Sequence, residues 1–531
     1  MAEKRCPAAA RTTDQAAPVG CAVRTMAPTG TLAAVLNRGF SRCGWSTRRR
    51  WSGQWRLVVL VLPLLAGCGP GDQGGADADR RTAKAQPGRV PAYSQRPGDP
   101  GRGYDALLNR ASDTCGLPYR AYAAAAAPSG GKAGPDAGPQ FPGRTGRNAR
   151  LPYPLTAYQT DSGVELVTTN CLACHAAILD GQLILGLGNA FLDMTQDPLL
   201  AVVSTGARVT APAERAQWQR WADRVAVLSS YMMTDTLGVN SAGNLTLALM
   251  AHRDPKTLAW SARPLLEPPP QRPLPVAVPP WWNLRKKHAL FYSAQGRGDQ
   301  ARHLLIAAAT CTDTIAQAQA LDAWFVDVRA YLATLAPPKY PYAIDQAQAA
   351  RGEALFGSHC KGCHGTYGED WRYPNRVLAL SEVGTDPALA RAGYSDQDRF
   401  RAWFAQSFYG ELSQITPAMG YLAPPLDGVW ASAPYLHNDA VPTLAALLEP
   451  AARPTWWRLR RSADGQPVYD RDALGWAYET LPAGKSAAMS WDERNRLYDT
   501  TGKGYGNGGH RFGDRLSAAE RRALIEYLKT L

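Results

Sequence analysis

Cys171-Leu-Ala-Cys174-His175 and Cys360-Lys-Gly-Cys363-His364 share one spacing, Cys-x-x-Cys-His. Two thiols at this interval can each add to one of the two vinyl groups of a porphyrin, while the imidazole that follows binds the iron. A zinc site would need further Cys or His pairs at ligand spacing, and the chain has none. A redox Cys-x-x-Cys leaves the His unexplained and sits in a βαβ pattern that is absent here. The expectation is therefore two covalently bound c-type haems. Cys171, Cys174 and His175 attach one, Cys360, Cys363 and His364 the other, and His175 and His364 are the proximal iron ligands.

What such haems do depends on the sixth position of each iron. A haem that only transfers electrons has it filled by protein, whereas one that meets dioxygen or peroxide keeps it open or displaceable. The chain has eight His, so beyond the two proximal ones His252, His288, His303, His359, His437 and His510 remain. No His occurs between His175 and His252. The aromatic residues Trp281, Trp282, Phe291 and Tyr292 flank the cationic Arg285, Lys286 and Lys287, with no carboxylate among them. An apolar pocket of this kind favours dioxygen beside a hydrocarbon-like substrate over peroxide heterolysis, which needs an acid–base group.

The elements that must position these residues read as helices. Leu321, Trp324, Phe325, Val328, Tyr331, Leu332 and Leu335 recur at helical spacing until Pro337-Pro338 stops them. Asp345 with Gln348, and Ser517 with Glu520, have capping-box spacing, the second before the stripe Leu524, Ile525, Leu528 and Leu531. No strand pattern of comparable strength emerges. The predicted fold is mainly α, two cytochrome c-like haem domains packed together, with irregular loops and a disordered N-terminal tether. Its divisions are a leader at 1–67, a lipoprotein tether at 68–102 and a first haem domain at 103–262. A Pro-rich connection with bridging helices at 263–338 and a second cytochrome c domain at 339–531 complete it. With 531 residues, 45% of them hydrophobic, and 16 Trp and 22 Tyr, the chain can enclose flat aromatic cofactors.

The net charge is +13, but the stretch through Gly67 carries +8 of it, leaving +5 for the remainder. No basic run interleaved with aromatics follows, so no nucleic-acid partner is expected. Arg48-Arg49-Arg50, the apolar run Leu57 to Leu65, and Leu65-Ala66-Gly67-Cys68 have the order of an export signal. The run is about half the ~20 residues a membrane span needs. Its ending resembles a bacterial lipobox, which places a lipid on Cys68 and the protein on the periplasmic side of a membrane. Met26 is an alternative start. Cys115 and Cys311 are either a disulfide or two buried thiols.

Arg351-Gly-Glu-Ala-Leu-Phe356, Pro434-Tyr-Leu-His437-Asn and the spacing of the two haem motifs resemble the bacterial di-haem cytochrome c peroxidase superfamily. Pro279-Pro-Trp-Trp-Asn-Leu-Arg-Lys-Lys287, the segment Gly428 to Leu444 and Gly506-Asn-Gly-Gly-His510 are closest to its rubber-oxygenase-like branch. The chain departs from the peroxidase pattern in having no His soon after the first motif, and no Met or Tyr soon after His437. The resemblance implies an open first haem and a second haem closed by a His near the carboxyl end, matched by His510. His437 is the second candidate and Met419 the third. It also implies that Trp281 and Trp282 relay electrons between the haems or line the first pocket; packing at an interface is the other reading of the pair. Phe291 and Tyr292, nine and ten positions beyond Trp282, are further candidates for an apolar lid over the first haem.

The expected function is an exported di-haem oxidoreductase. Its first haem is the centre for O2 or H2O2 and its second an electron-transfer haem, and a periplasmic protein is the electron donor or acceptor. A di-haem peroxidase or a pure electron carrier are the alternatives.

Overall fold

The computed structural model describes residues 84–126, 138–308, 310–463 and 465–531. The leader, Cys68 and the tether up to residue 83 lie outside them. The tether's second half is not disordered: β1 (Gly88–Arg89) adds to a sheet edge, Val90 is buried, and Arg96 bonds the carboxylates of Asp299 at 2.9 Å and Asp322 at 2.7 Å. Asp99 then caps α1 (Pro100–Asn109) by accepting from the Arg102 amide.

Around the first motif the expected helical setting gives way to strands. β2 (Leu155–Gln159) and β3 (Glu165–Thr169) form an antiparallel hairpin whose Thr160 hydroxyl accepts from the Val164 amide. The motif's own helix, α2 (Leu172–His175), is a single turn, followed at once by β4 (Ala176–Leu179) and β5 (Gln182–Leu185). Asp180 and Gly181 join these with φ of 52° and 76°, the double positive φ that a tight hairpin with right-handed strand twist requires. Among the described residues fifteen short strands form six small sheets, so the molecule is not mainly α.

Helices still carry the two main crossings. α3 (Ile315–Leu332) packs on α1, and the contact closes at Gly103, where a Cβ would collide with the Asp327 carbonyl and approach Tyr331. α4 (Gln346–His359) leads into α5 (Lys361–His364), which carries the second motif. After it, β6 (Arg376–Ala379) pairs with both β1 and β7 (Gly420–Leu422). The closing helix α6 (Ala518–Leu528) packs on α4 at Gly352, where a Cβ would collide with the Ala523 carbonyl and approach Tyr527. Asp345 caps α4 through the Ala347 and Gln348 amides, and Ser517 and Glu520 make both arms of a capping box.

The described residues form one compact unit. Leu107 and Leu108 of α1, Leu172, Trp281, and Val328 and Leu332 of α3 share one apolar cluster, so the segment expected as a connection helps build the surroundings of the first motif. Trp282, Phe356, Val429 and Leu524 belong to a second cluster under the second motif. Cys115 and Cys311 are joined as a disulfide across 196 positions.

Candidate haem sites

At the second motif, His364 Nδ1 donates to the Pro424 carbonyl at 2.8 Å. A carbonyl can only accept, so Nδ1 carries the proton and Nε2 is the nitrogen left for a metal. Cys360, Cys363 and His364 line a cavity whose other walls include Phe356, Leu378 and Leu444. His510 lines the same cavity. The ring centres of His364 and His510 are 6.2 Å apart. Two metal–imidazole bonds of about 2 Å, with about 1 Å from each donor nitrogen to its ring centre, span roughly the same distance. One iron therefore fits between the two rings. Burial lowers His364 and pushes His510 down to about 3, so both are neutral, the form that binds metal. Burial pushes the Cys360 thiol up to about 11, away from the thiolate that would ligate a metal directly.

His510 is held by its backbone. Its amide donates to the Val383 carbonyl at 2.6 Å, and Gly509 lies against Gly384 so closely that a Cβ has no room. Gly509 and His510 both have positive φ, 72° and 47°. Arg453 donates to the carbonyls of Asn507 and Gly509 at 2.6 and 2.7 Å, and Asn438 Nδ2 to those of Gly504 and Gly506 at 2.8 and 3.0 Å. Asn438 belongs to the Pro434-Tyr-Leu-His437-Asn motif, whereas Arg453 was not singled out by the sequence. Nothing in the residues around Arg453, with Glu449 four positions earlier, marks it as a backbone clamp.

At the first motif, burial pushes His175 down to about 4 against the opposing pull of the Pro279 carbonyl, and Nδ1 has no well-formed hydrogen bond. The Cys171 and Cys174 thiols are pushed up to about 11 and about 12, again by burial. Trp281 stacks on the His175 ring with centres 4.4 Å apart and planes 17° from parallel. Among the described residues no second imidazole stands opposite His175 as His510 stands opposite His364. The Pro279 carbonyl lies near His175 as the Pro424 carbonyl does near His364, but only the second makes a formed hydrogen bond.

The other expected residues fall in three groups. Trp281 belongs to the first-motif cluster, whereas Trp282 is fully buried in the second and donates to the Asp427 carbonyl at 2.7 Å, so the pair straddles the two sites. Phe291 is 44% exposed and packs edge-on against His303, not over His175, and Tyr292 lines the second cavity, so neither forms a lid on the first. Phe291 is turned away because its φ of 66° reverses the chain there. His437 lines the second cavity but stacks on Tyr421 at 4.1 Å instead of facing His364, and Met419 is not on the cavity wall. His252, His288 and His303 bond the carbonyls of Ser261, Val90 and Arg297, and His359 is on α4. The cations near Trp282 do meet a carboxylate from elsewhere in the chain: Lys286 is 2.7 Å from Asp427.

Residues 420–458 match the profile of a family described as RoxA-like, cytochrome c-like. That stretch contains Tyr421, Pro424, Asn438 and Arg453, the shell of the second cavity. Two uncharacterized proteins of Sinorhizobium fredii are also similar. One, y4iJ, is 31% identical over 264 residues, covering 37% of this chain and 41% of the relative. The other, y4iM, is 32% identical over 238 residues, covering 38% and 52%. The chain thus spans about half the length of the curated relatives it matches. The profile match supports a c-type cytochrome, with haem and iron implied by that class, and a place near the rubber-oxygenase-like cytochromes. It covers one cytochrome c-like segment, which together with the strands overturns the expected pair of cytochrome c-like domains.

Proposed function

We propose that the protein is an exported di-haem oxidoreductase in which the haem on His175 is the reaction centre for a small oxidant and the haem on His364 and His510 supplies or stores electrons. The observation that carries this reading is the asymmetry of imidazole supply: His364 has a partner at 6.2 Å and His175 has none among the described residues. Haem iron bound by two imidazoles exchanges electrons, and iron with a free position activates dioxygen or peroxide. The residues of this chain do the remaining work. Pro424 fixes the tautomer of His364, the Arg453 clamp holds His510 in place, and Trp281 with Trp282 form an aromatic bridge between the surroundings of the two motifs.

The reading extends to a lipid on Cys68, a periplasmic electron partner and a substrate that is hydrocarbon-like, as in an oxygenase. The test is an absorption titration of the purified protein with carbon monoxide, reduced, and with cyanide, oxidised. One haem binding ligand and one remaining low-spin is the expected result. Two haems that both refuse ligand make the protein an electron carrier. Fast peroxide turnover appearing only after partial reduction makes it a peroxidase.

A further inference from the structure

The second cavity is apolar along the motif helices, yet one part of its wall carries polar groups with nothing to bond. His437 is 6% exposed, and its Nε2 is buried without a partner. Lys287 lines the same cavity, and among the described residues its ammonium has neither a hydrogen bond nor an ion pair; burial alone lowers it to about 8. The Tyr292 hydroxyl is on the same wall, with its ring 6.3 Å from that of His437, and it too lacks a hydrogen bond among the described residues. A buried donor left unpaired costs on the order of 1–3 kcal/mol, and native proteins leave few of them. His437 Nε2 is such a group, and the half-buried Lys287 and Tyr292 add two further unpaired donors to the lining of the same cavity, which together point to an occupant with matching acceptors.

An iron porphyrin held by thioethers at one edge has two carboxylates at the opposite edge. We propose that Lys287, Tyr292 and His437 form the seat for the two carboxylates of the second haem. This assigns His437 a role without a bond to iron, in keeping with its stacking on Tyr421 and with His510 standing opposite His364. The charges facing the seat agree. Asp427 is neutralised by Lys286 at 2.7 Å, and burial raises the Asp439 carboxyl well above its usual range, so neither repels a carboxylate. The proposal rests on the reading that the second motif carries haem.

The experiment compares the unmutated protein with Lys287→Met, Lys287→Arg, Tyr292→Phe and His437→Phe. It reads covalent haem on the peptide containing Cys360 and Cys363, the reduction potential of the low-spin haem, and the carboxylate bending band in its resonance Raman spectrum. Loss of a cation or donor beside the carboxylates makes the haem harder to reduce. Lys287→Met and His437→Phe should therefore lower the potential and shift the band while the spectrum stays low-spin. Tyr292→Phe should shift the band, and Lys287→Arg should restore the potential. Haem retained with potential and band unmoved in all of these variants overturns the seat. A His437→Phe protein that newly binds carbon monoxide at this haem overturns it too, by making His437 the iron ligand. No haem on that peptide in the unmutated protein overturns the underlying reading instead, and the two failures are told apart by the first measurement. Tyr292→Phe, which removes a single hydroxyl, keeps the test readable if a larger change prevents folding.

Discussion

His510 and His437 are the two candidate ligands for the iron proposed at the second motif, and the difference between them is orientation. His437 lies flat against Tyr421, whereas His510 is held opposite His364 by its own amide, by the clamp from Arg453 and by a glycine that no other residue can replace. His510→Ala should convert the low-spin haem to one that binds carbon monoxide, and His437→Ala should not; absorption spectra of the two variants decide. The attachment residues allow a simpler test. Cys171→Ala with Cys174→Ala should leave one covalent haem per chain by haemochrome assay, and two would overturn the motif reading. At this scale the sequence was informative because Cys-x-x-Cys-His compresses a whole binding chemistry into five residues. Phe291 and Tyr292 misled for the opposite reason. Their placement depends on a backbone reversal at Phe291 that residue type does not announce, since a positive φ is uncommon for an aromatic residue.

At the scale of the elements, the hairpin beside the first motif and the two helix crossings have local sequence signatures. Asp180-Gly181 between two apolar runs is a hairpin signal, but short apolar runs of this kind are equally compatible with a buried helix. The two helix crossings also left a trace: Arg102-Gly103 and Arg351-Gly352 recur, as do Tyr331-Leu332-Ala333-Thr334-Leu335 and Tyr527-Leu528-Lys529-Thr530-Leu531. The separation between the first pair, more than 200 residues, hides the contact, because nothing in α1 says that its partner comes after the motif. The crossing of α4 and α6 can be tested with an internal control. A Cβ at Gly352 would collide with the Ala523 backbone, whereas one at Gly357 on the same helix meets nothing within 4 Å. Gly352→Ala should cost ~1–3 kcal/mol through overpacking, and Gly357→Ala should be neutral or stabilise by up to ~1 kcal/mol through helix propensity. Chemical denaturation of both variants gives the sign. Equal effects would mean that the crossing does not depend on the glycine.

At the scale of the whole molecule, the Cys115–Cys311 disulfide and the ion cluster beside it tie together parts of the chain that only folding brings near. Asp313 receives Arg253 at 2.9 Å, Arg224 at 2.9 Å and Arg220 at 3.0 Å. Burial alone would raise its carboxyl, but these guanidinium groups overcome that and hold it below the usual range. A carboxyl depressed in the folded state gives stability that is full above its unfolded pKa and is lost as pH falls through the folded one. Asp313→Asn should therefore lower the denaturation midpoint at neutral pH and flatten its decline below about pH 4.

The disulfide itself closes a loop of nearly 200 residues, for which chain entropy gives roughly 5 kcal/mol and experience with native disulfides 2–5. Its position carries a further consequence. The Cys311 amide donates to Asp113 at 3.2 Å, and Asp113 with Ser112 faces the Cys171 thiol, so the crosslink braces the surroundings of the first motif. Replacing both Cys115 and Cys311 with Ala should lower the denaturation midpoint by an amount in this range and broaden or shift the spectrum of the haem on His175. The low-spin signal assigned to His364 and His510 should stay unchanged, because its clamp through Pro424 and Arg453 draws on neither half of the crosslink. Electron paramagnetic resonance of the double variant separates the two haems. A change confined to the low-spin centre would show that the brace acts on the other site, and no loss of stability would show that the disulfide closes a loop the folded chain already holds shut.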